Sequence, residues 1–118
     1  MDLWRGRCAV TGVAVPDLLR ASHIKPWADC ATDAERLDAY NGLLLAAHLD
    51  AAFDKGLMTV NDDGSIVFSE KLPAEARVAL GWSAPLKVTG LTAAHRPWLE
   101  WHRTRVFQGP KAPSVSGA

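Results

Sequence analysis

Several features that would classify a chain quickly are missing here. The two cysteines, Cys8 and Cys30, form no CxxC pair, which argues against a disulfide framework, although a single bridge between them stays open. No apolar run approaches 18 residues, and the N-terminal stretch lacks an apolar segment ending in a small-residue cleavage site. The expectation is a cytoplasmic protein with no membrane partner. Thirteen basic residues balance thirteen acidic ones, so the chain has no long-range pull toward polyanions and is not expected to read nucleic acid unaided. Repeats and low-complexity blocks are lacking too. What remains is one domain's length, 118 residues, with an ordinary 48% apolar and 22% charged composition.

Along the chain, "CAVTG" (8–12) reads as a short extended piece turning at Gly12, and "VPDLLRASHI" as a strand or loop approaching the core. "ADCATDAERLDAY" is too polar to pack well and predicts a loop with one helical turn near 34–37. Asn41-Gly42 is a turn dipeptide with hairpin associations, and the "LLL" after it suits a buried strand. Leu49, Ala52 and Phe53 fall at helical spacing, with Gly56 as the stop. "LMTV" and "SIVF" around "NDDG" predict a hairpin. Pro73 would open a helix that Gly81 ends, and another helix starts near Pro97. The sum is a small α+β domain over 1–108, with a Pro-, Gly- and Ser-rich tail over 109–118 expected to be disordered.

The polar residues within this framework are ambiguous singly. Asp50 and Asp54, four apart, share one face of a helix, where their repulsion invites a hard divalent cation. The same spacing also serves a solvated, charged helix end. His23, between Ser22 and Ile24, is a structural histidine or a catalyst. Asn41 is most simply a turn residue, and His48 a surface residue near a helix start. His95 and His102 also read as surface residues, and Trp98 and Trp101 as packing for the last helix.

Taken together, "ASHIKPW", "NGLLL" and "AHLDAAFDKGL" resemble the HNH endonucleases of the ββα-metal (His-Me finger) fold, here with an added hairpin and C-terminal helices. "FDKGL", "DDG" and "WHRTRVF" are similar to a subgroup found in restriction-type nucleases, and the likeness runs from about Arg7 to Phe107. It implies metal-dependent hydrolysis of DNA that leaves 5′-phosphate ends, with His23 as general base. Asn41, by its side-chain oxygen or a neighbouring carbonyl, would orient the His23 ring. Asp50 and Asp54, the ninth and thirteenth residues after Asn41, would hold Mg²⁺ or Mn²⁺. Imidazole, with an ordinary pKa of about 6.5, suits the base's role.

Two departures stand out. Many relatives carry a metal-binding Asp immediately before the base, where this chain has Ser22. A serine hydroxyl would be a feeble metal ligand, leaving the ion more weakly held or filled out by water. Many also carry a histidine at the position of Asp50, whereas the histidine here is His48. A late helix start would let His48 join the metal and admit Zn²⁺ or Ni²⁺. "CAVT" lacks the second cysteine of zinc-stapled relatives, so Cys8 is expected to be a small buried hydrophobe. Lys25, Arg20 and Arg7 are the expected DNA contacts, with Arg96, Arg103 and Arg105 on the last helix less so. Target selection would come from a separate or fused recognition module, which in the subgroup often reads modified DNA. The rival expectation is a catalytically weak or inactive module that keeps the scaffold to bind DNA or protein, for which Ser22 is the best support.

Overall fold

The computed structural model describes residues 3–109. Two short antiparallel sheets and four helices follow in chain order: β1 (Leu19–His23), α1 (Asp33–Leu37), β2 (Gly42–Ala46), α2 (Ala47–Asp54), β3 (Met58–Val60), β4 (Ile66–Phe68), α3 (Ala74–Ala79) and α4 (Arg96–Arg105). Single 3₁₀ turns precede β1 (Pro16–Leu18), follow it (Trp27–Asp29) and lead into α4 (Ala93–His95). No helix among the described residues is long and apolar enough to cross a membrane. The expected tail lies, apart from Gly109, outside the described residues.

β1 pairs with β2 from Leu19 opposite Ala46 to His23 opposite Gly42. These strands do not make the tight hairpin that Asn41-Gly42 suggests, since residues 24–41 intervene. That connection carries the 3₁₀ turn and α1. Thr32 caps α1 by accepting from the Glu35 N–H, and the Glu35 carboxylate reaches back to the Ala31 N–H at 2.7 Å. The Ala31 bond, followed by the Lys25 ammonium, holds the Glu35 carboxyl below its usual range. Asn41 closes a turn, as expected, its N–H donating to the Asp38 carbonyl at 3.0 Å, but without left-handed geometry. Arg5 is the one non-glycine with positive φ among the described residues, and Asn41 is buried. "CAVTG" is likewise a turn, not an extended piece. The Gly12 N–H returns to the Cys8 carbonyl, and the buried Cys8 thiol accepts N–H bonds from Val10, Thr11 and Ala46. Burial alone would raise the Cys8 pKa, but the Thr11 side chain and then those N–H donors together bring it below the ordinary thiol value. Cys30 is also free.

The core forms where α2 lies against β1 and β2. Leu43 and Leu45 of β2 meet Leu49, Ala52 and Phe53, the buried stripe of α2, together with Ile24, Met58, Val60 and Leu99. Each fully buried aliphatic side chain contributes about 1.5–3 kcal/mol. α2 ends at Gly56, whose φ is +73°. A Cβ there would meet the Val106 carbonyl oxygen at 2.1 Å, so glycine lets the end of α4 close on the end of α2. The "NDDG" turn joins β3 to β4 as expected, with Asp63 accepting from the Ser65 N–H and hydroxyl. Pro73 sits one place earlier than expected, as the N-cap of α3.

His95 and His102 are both buried, contrary to their expected surface placement. Each ring has a private partner that sequence spacing does not reveal. The Phe53 carbonyl accepts from His102 Nε2 at 2.8 Å, leaving Nδ1 to accept from the Thr59 hydroxyl at 2.8 Å. His95 Nδ1 accepts the Thr92 N–H at 3.0 Å, and its ring lies between Trp4 and Tyr40. Burial lowers the His95 pKa, and the Asp38 carboxylate opposes this only in part. The unfolded chain, with an ordinary imidazole near about 6.5, therefore binds this proton more tightly than the native state. The contribution to stability is full above about pH 6.5 and is lost as pH falls through the lower native value. Urea midpoints should thus drop between about pH 7.5 and pH 5.5, and His95→Asn, which keeps an acceptor but cannot ionise, should remove most of that slope. An unchanged slope would assign the pH dependence to other groups.

Candidate active site

β1 delivers Ser22 and His23 side by side, and its backbone pairing to β2 fixes where they stand. Ser22 is buried and His23 half-buried. α2 delivers Asp50 and Asp54 from consecutive turns, on the face away from its apolar stripe. These four side chains, with Ala21, Pro26 and Trp27, line one cavity of about 470 Å³. Neither aspartate has an ion-pair partner among the described residues. Two like charges one helical turn apart on a shared cavity make it attractive to a cation. Mg²⁺ typically takes one or two protein carboxylates and fills its sphere with water and phosphate oxygens, so the pair suits such an ion. No cluster of three or more His, Cys, Asp or Glu side chains among the described residues is arranged to hold a metal.

His48 does not line this cavity. The condition for its joining Asp50 was a late helix start, and α2 starts at Ala47. Two residues apart on a helix are about 200° apart, so His48 faces away from Asp50. Its ring instead stacks on Trp82 at 5.3 Å, and Trp82 stacks in turn on Phe68 at 5.7 Å.

The His23 ring is held through Nε2. The Arg36 carbonyl lies 3.2 Å from that atom, and the Trp27 indole N–H donates to it at 2.9 Å. Nδ1 has no hydrogen bond to the described residues. Asn41 does not touch the ring. Its Oδ1 accepts the Lys25 N–H at 2.7 Å, and its Nδ2 donates to the carbonyls of Lys25 (3.3 Å) and Glu35 (3.2 Å). The last carbonyls of a helix lack partners within it. At the end of α1, Asn41 takes the carbonyl of Glu35 while His23 meets that of Arg36. Asn41 thus ties β1's exit to the element that contacts the histidine.

Of the expected DNA contacts, Lys25 is committed internally: its ammonium pairs with Glu35 at 3.1 Å and lies 5.3 Å over the Trp101 ring, with its side chain 14% exposed. Arg7 and Arg20 are exposed, each donating to carbonyls nearby in sequence. Arg20 shares the strand face of Ser22. Trp27 and the Arg36 main chain were not singled out from the sequence. Trp27 stood in "HIKPW" as an unassigned aromatic four residues after His23, and a role played by a backbone carbonyl leaves no side-chain signal.

Residues 8–61, which span β1, the connection, β2, α2 and β3, match the family model described as HNH endonuclease. Over this segment the chain is similar to the HNH endonucleases. Among solved structures it is similar to one titled "Modification dependent TagI restriction endonuclease", with a TM-score of 0.59 and 20% identity. That likeness is one of fold and covers 95% of this chain, including the second hairpin and α4, but 37% of the other. No curated protein sequence matches significantly. Within the HNH framework, Ser22 stands at the end of β1 where the resemblance leads one to expect a carboxylate, and it opens onto the same cavity as both aspartates.

Proposed function

We propose that the chain is a metal-dependent HNH nuclease domain that hydrolyses DNA phosphodiester bonds, with His23 as general base. The observation that carries this is the convergence of His23, Asp50 and Asp54 on one cavity. In-line hydrolysis needs a base for the attacking water and a counter-charge at the phosphate. His23 has Nδ1 unused by the described residues and can take the proton there. Asp50 and Asp54 would hold Mg²⁺ or Mn²⁺, which supplies Lewis-acid stabilisation of the phosphate and the departing 3′ oxygen. Both donors are oxygen, and with His48 on Trp82 the set favours hard ions over Zn²⁺ or Ni²⁺. Arg20 and Arg7 are the exposed candidates for phosphate contacts. The balanced charge supports a reading in which target choice comes from a separate or fused recognition module.

Calorimetry with Mn²⁺ tests the metal site directly. Wild type should bind, and Asp50→Ala/Asp54→Ala should weaken binding at least about tenfold while folding as well as wild type, because it removes a like-charge pair worth about 0.2–0.5 kcal/mol of repulsion. The rival is a scaffold that binds DNA or protein without catalysis. Ser22 and the limit of two carboxylates favour it. Absent Mn²⁺ binding, or binding undiminished in the double variant, would decide for it.

A further inference from the structure

Two hydrogen bonds at His23 Nε2 require opposite things of one atom. To donate to the Arg36 carbonyl at 3.2 Å, Nε2 must carry the ring proton. To accept the Trp27 indole N–H at 2.9 Å, it must carry none. A neutral imidazole has one N–H and one acceptor nitrogen, so each bond selects a different tautomer. With the Arg36 bond, Nδ1 has a free lone pair and can receive a proton from water. With the Trp27 bond, Nδ1 holds the proton and cannot act as a base. The indole contact, at 2.9 Å, is the shorter of the two and favours the tautomer protonated on Nδ1.

We propose that Trp27 is a positioning residue that keeps His23 in its unreactive tautomer. The reading rests on the nuclease proposal for its consequence in rate, but not for the tautomer itself. Trp27 suits this role because it is 56% exposed on the wall of the cavity, where an approaching ligand reaches it before the half-buried ring behind it. Its own hold is modest. The indole lies edge-on to His23 at 6.0 Å, and the Arg36 guanidinium sits 5.4 Å from it. The Arg36 carbonyl is fixed more firmly. Arg36 ties its side chain to the carbonyls of Trp27 and Cys30 and to Asp33, and α1 is bound to Asn41. Displacing the indole would therefore leave His23 bonded to Arg36, in the tautomer that accepts a proton.

Trp27→Phe tests this, because phenylalanine keeps an aromatic ring beside His23 and Arg36 and removes only the donor. Trp27 is exposed, so the variant should fold. Nitrogen-15 NMR of the metal-free protein, at a pH where the ring is neutral, should show His23 mainly protonated on Nδ1 in wild type and on Nε2 in the variant. Single-turnover nicking of plasmid DNA with Mn²⁺ should be about fivefold faster in the variant, the factor that one neutral hydrogen bond sets on a two-state equilibrium. An unchanged tautomer would overturn the proposal, as would a changed tautomer with a slower rate. If neither protein nicks DNA, the nuclease reading fails, while the NMR result still decides the tautomer.

Discussion

Replacing His23 by alanine is expected to slow Mn²⁺-dependent nicking by about 10²–10⁴-fold, the usual contribution of a general base. The expectation rests on geometry. The ring opens on the cavity shared with Asp50 and Asp54, is held through Nε2, and leaves Nδ1 unused by the described residues. Because the side chain is half-buried and contributes no apolar core contact, its removal should cost no more than the about 1–3 kcal/mol of the Arg36 carbonyl it leaves, and should keep Mn²⁺ affinity within about twofold. Rate, stability and metal binding therefore separate. Equal nicking by wild type and His23→Ala would exclude His23 as the base.

Asn41→Ala should have the largest effect on stability. Asn41 is 1% exposed and bonds to the Lys25 N–H and to the carbonyls of Lys25 and Glu35. Truncation leaves the Lys25 N–H without its acceptor and takes one of two donors from each carbonyl, at about 1–3 kcal/mol for the unmatched group alone. Asn41→Asp should not rescue it. The new carboxylate still accepts from Lys25, but it turns an oxygen toward the two carbonyls. Under conditions where either variant remains folded, nicking should also fall, because the Arg36 carbonyl that contacts His23 sits on the helix Asn41 tethers. Urea denaturation with parallel nicking assays checks both effects. A loss below about 1 kcal/mol for Asn41→Ala would mean that the connection holds its shape without this side chain.

Much of the framework was legible from local chemistry. Alternating and contiguous apolar residues marked β2 and α2, the "NDDG" turn marked β3 and β4, and Pro97 marked the start of α4. The Asn41-Gly42 dipeptide misled because β2's partner lies at 19–23, and no local preference states how much chain separates two paired strands. His95 and His102 misled for a related reason. A polar ring reads as surface unless its partners are known, and theirs are Thr92, Thr59 and the Phe53 carbonyl. In the candidate site, the four-residue spacing of Asp50 and Asp54 carried over into a shared cavity, because a helix start at Ala47 preserves their common face. That same start turned His48 away. The contacts of His23 were not legible, since one comes from a backbone carbonyl and the other from a tryptophan with no distinguishing neighbour.

The family match ends at Asn61, but the mechanical unit does not. Phe53, one residue before Asp54, has its ring stacked flat on His102 at 3.8 Å and its carbonyl bonded to the same imidazole. Just beyond, the Gln108 N–H donates to the Gly56 carbonyl, and the Gln108 amide to that of Lys55. The carboxylate-bearing helix is therefore clamped at its far end by residues that lie beyond the family match. Substitutions there can retune the spacing of the two acids against His23 without touching the cavity. A transplant of residues 8–61 into another protein would carry the chemistry but leave its alignment behind.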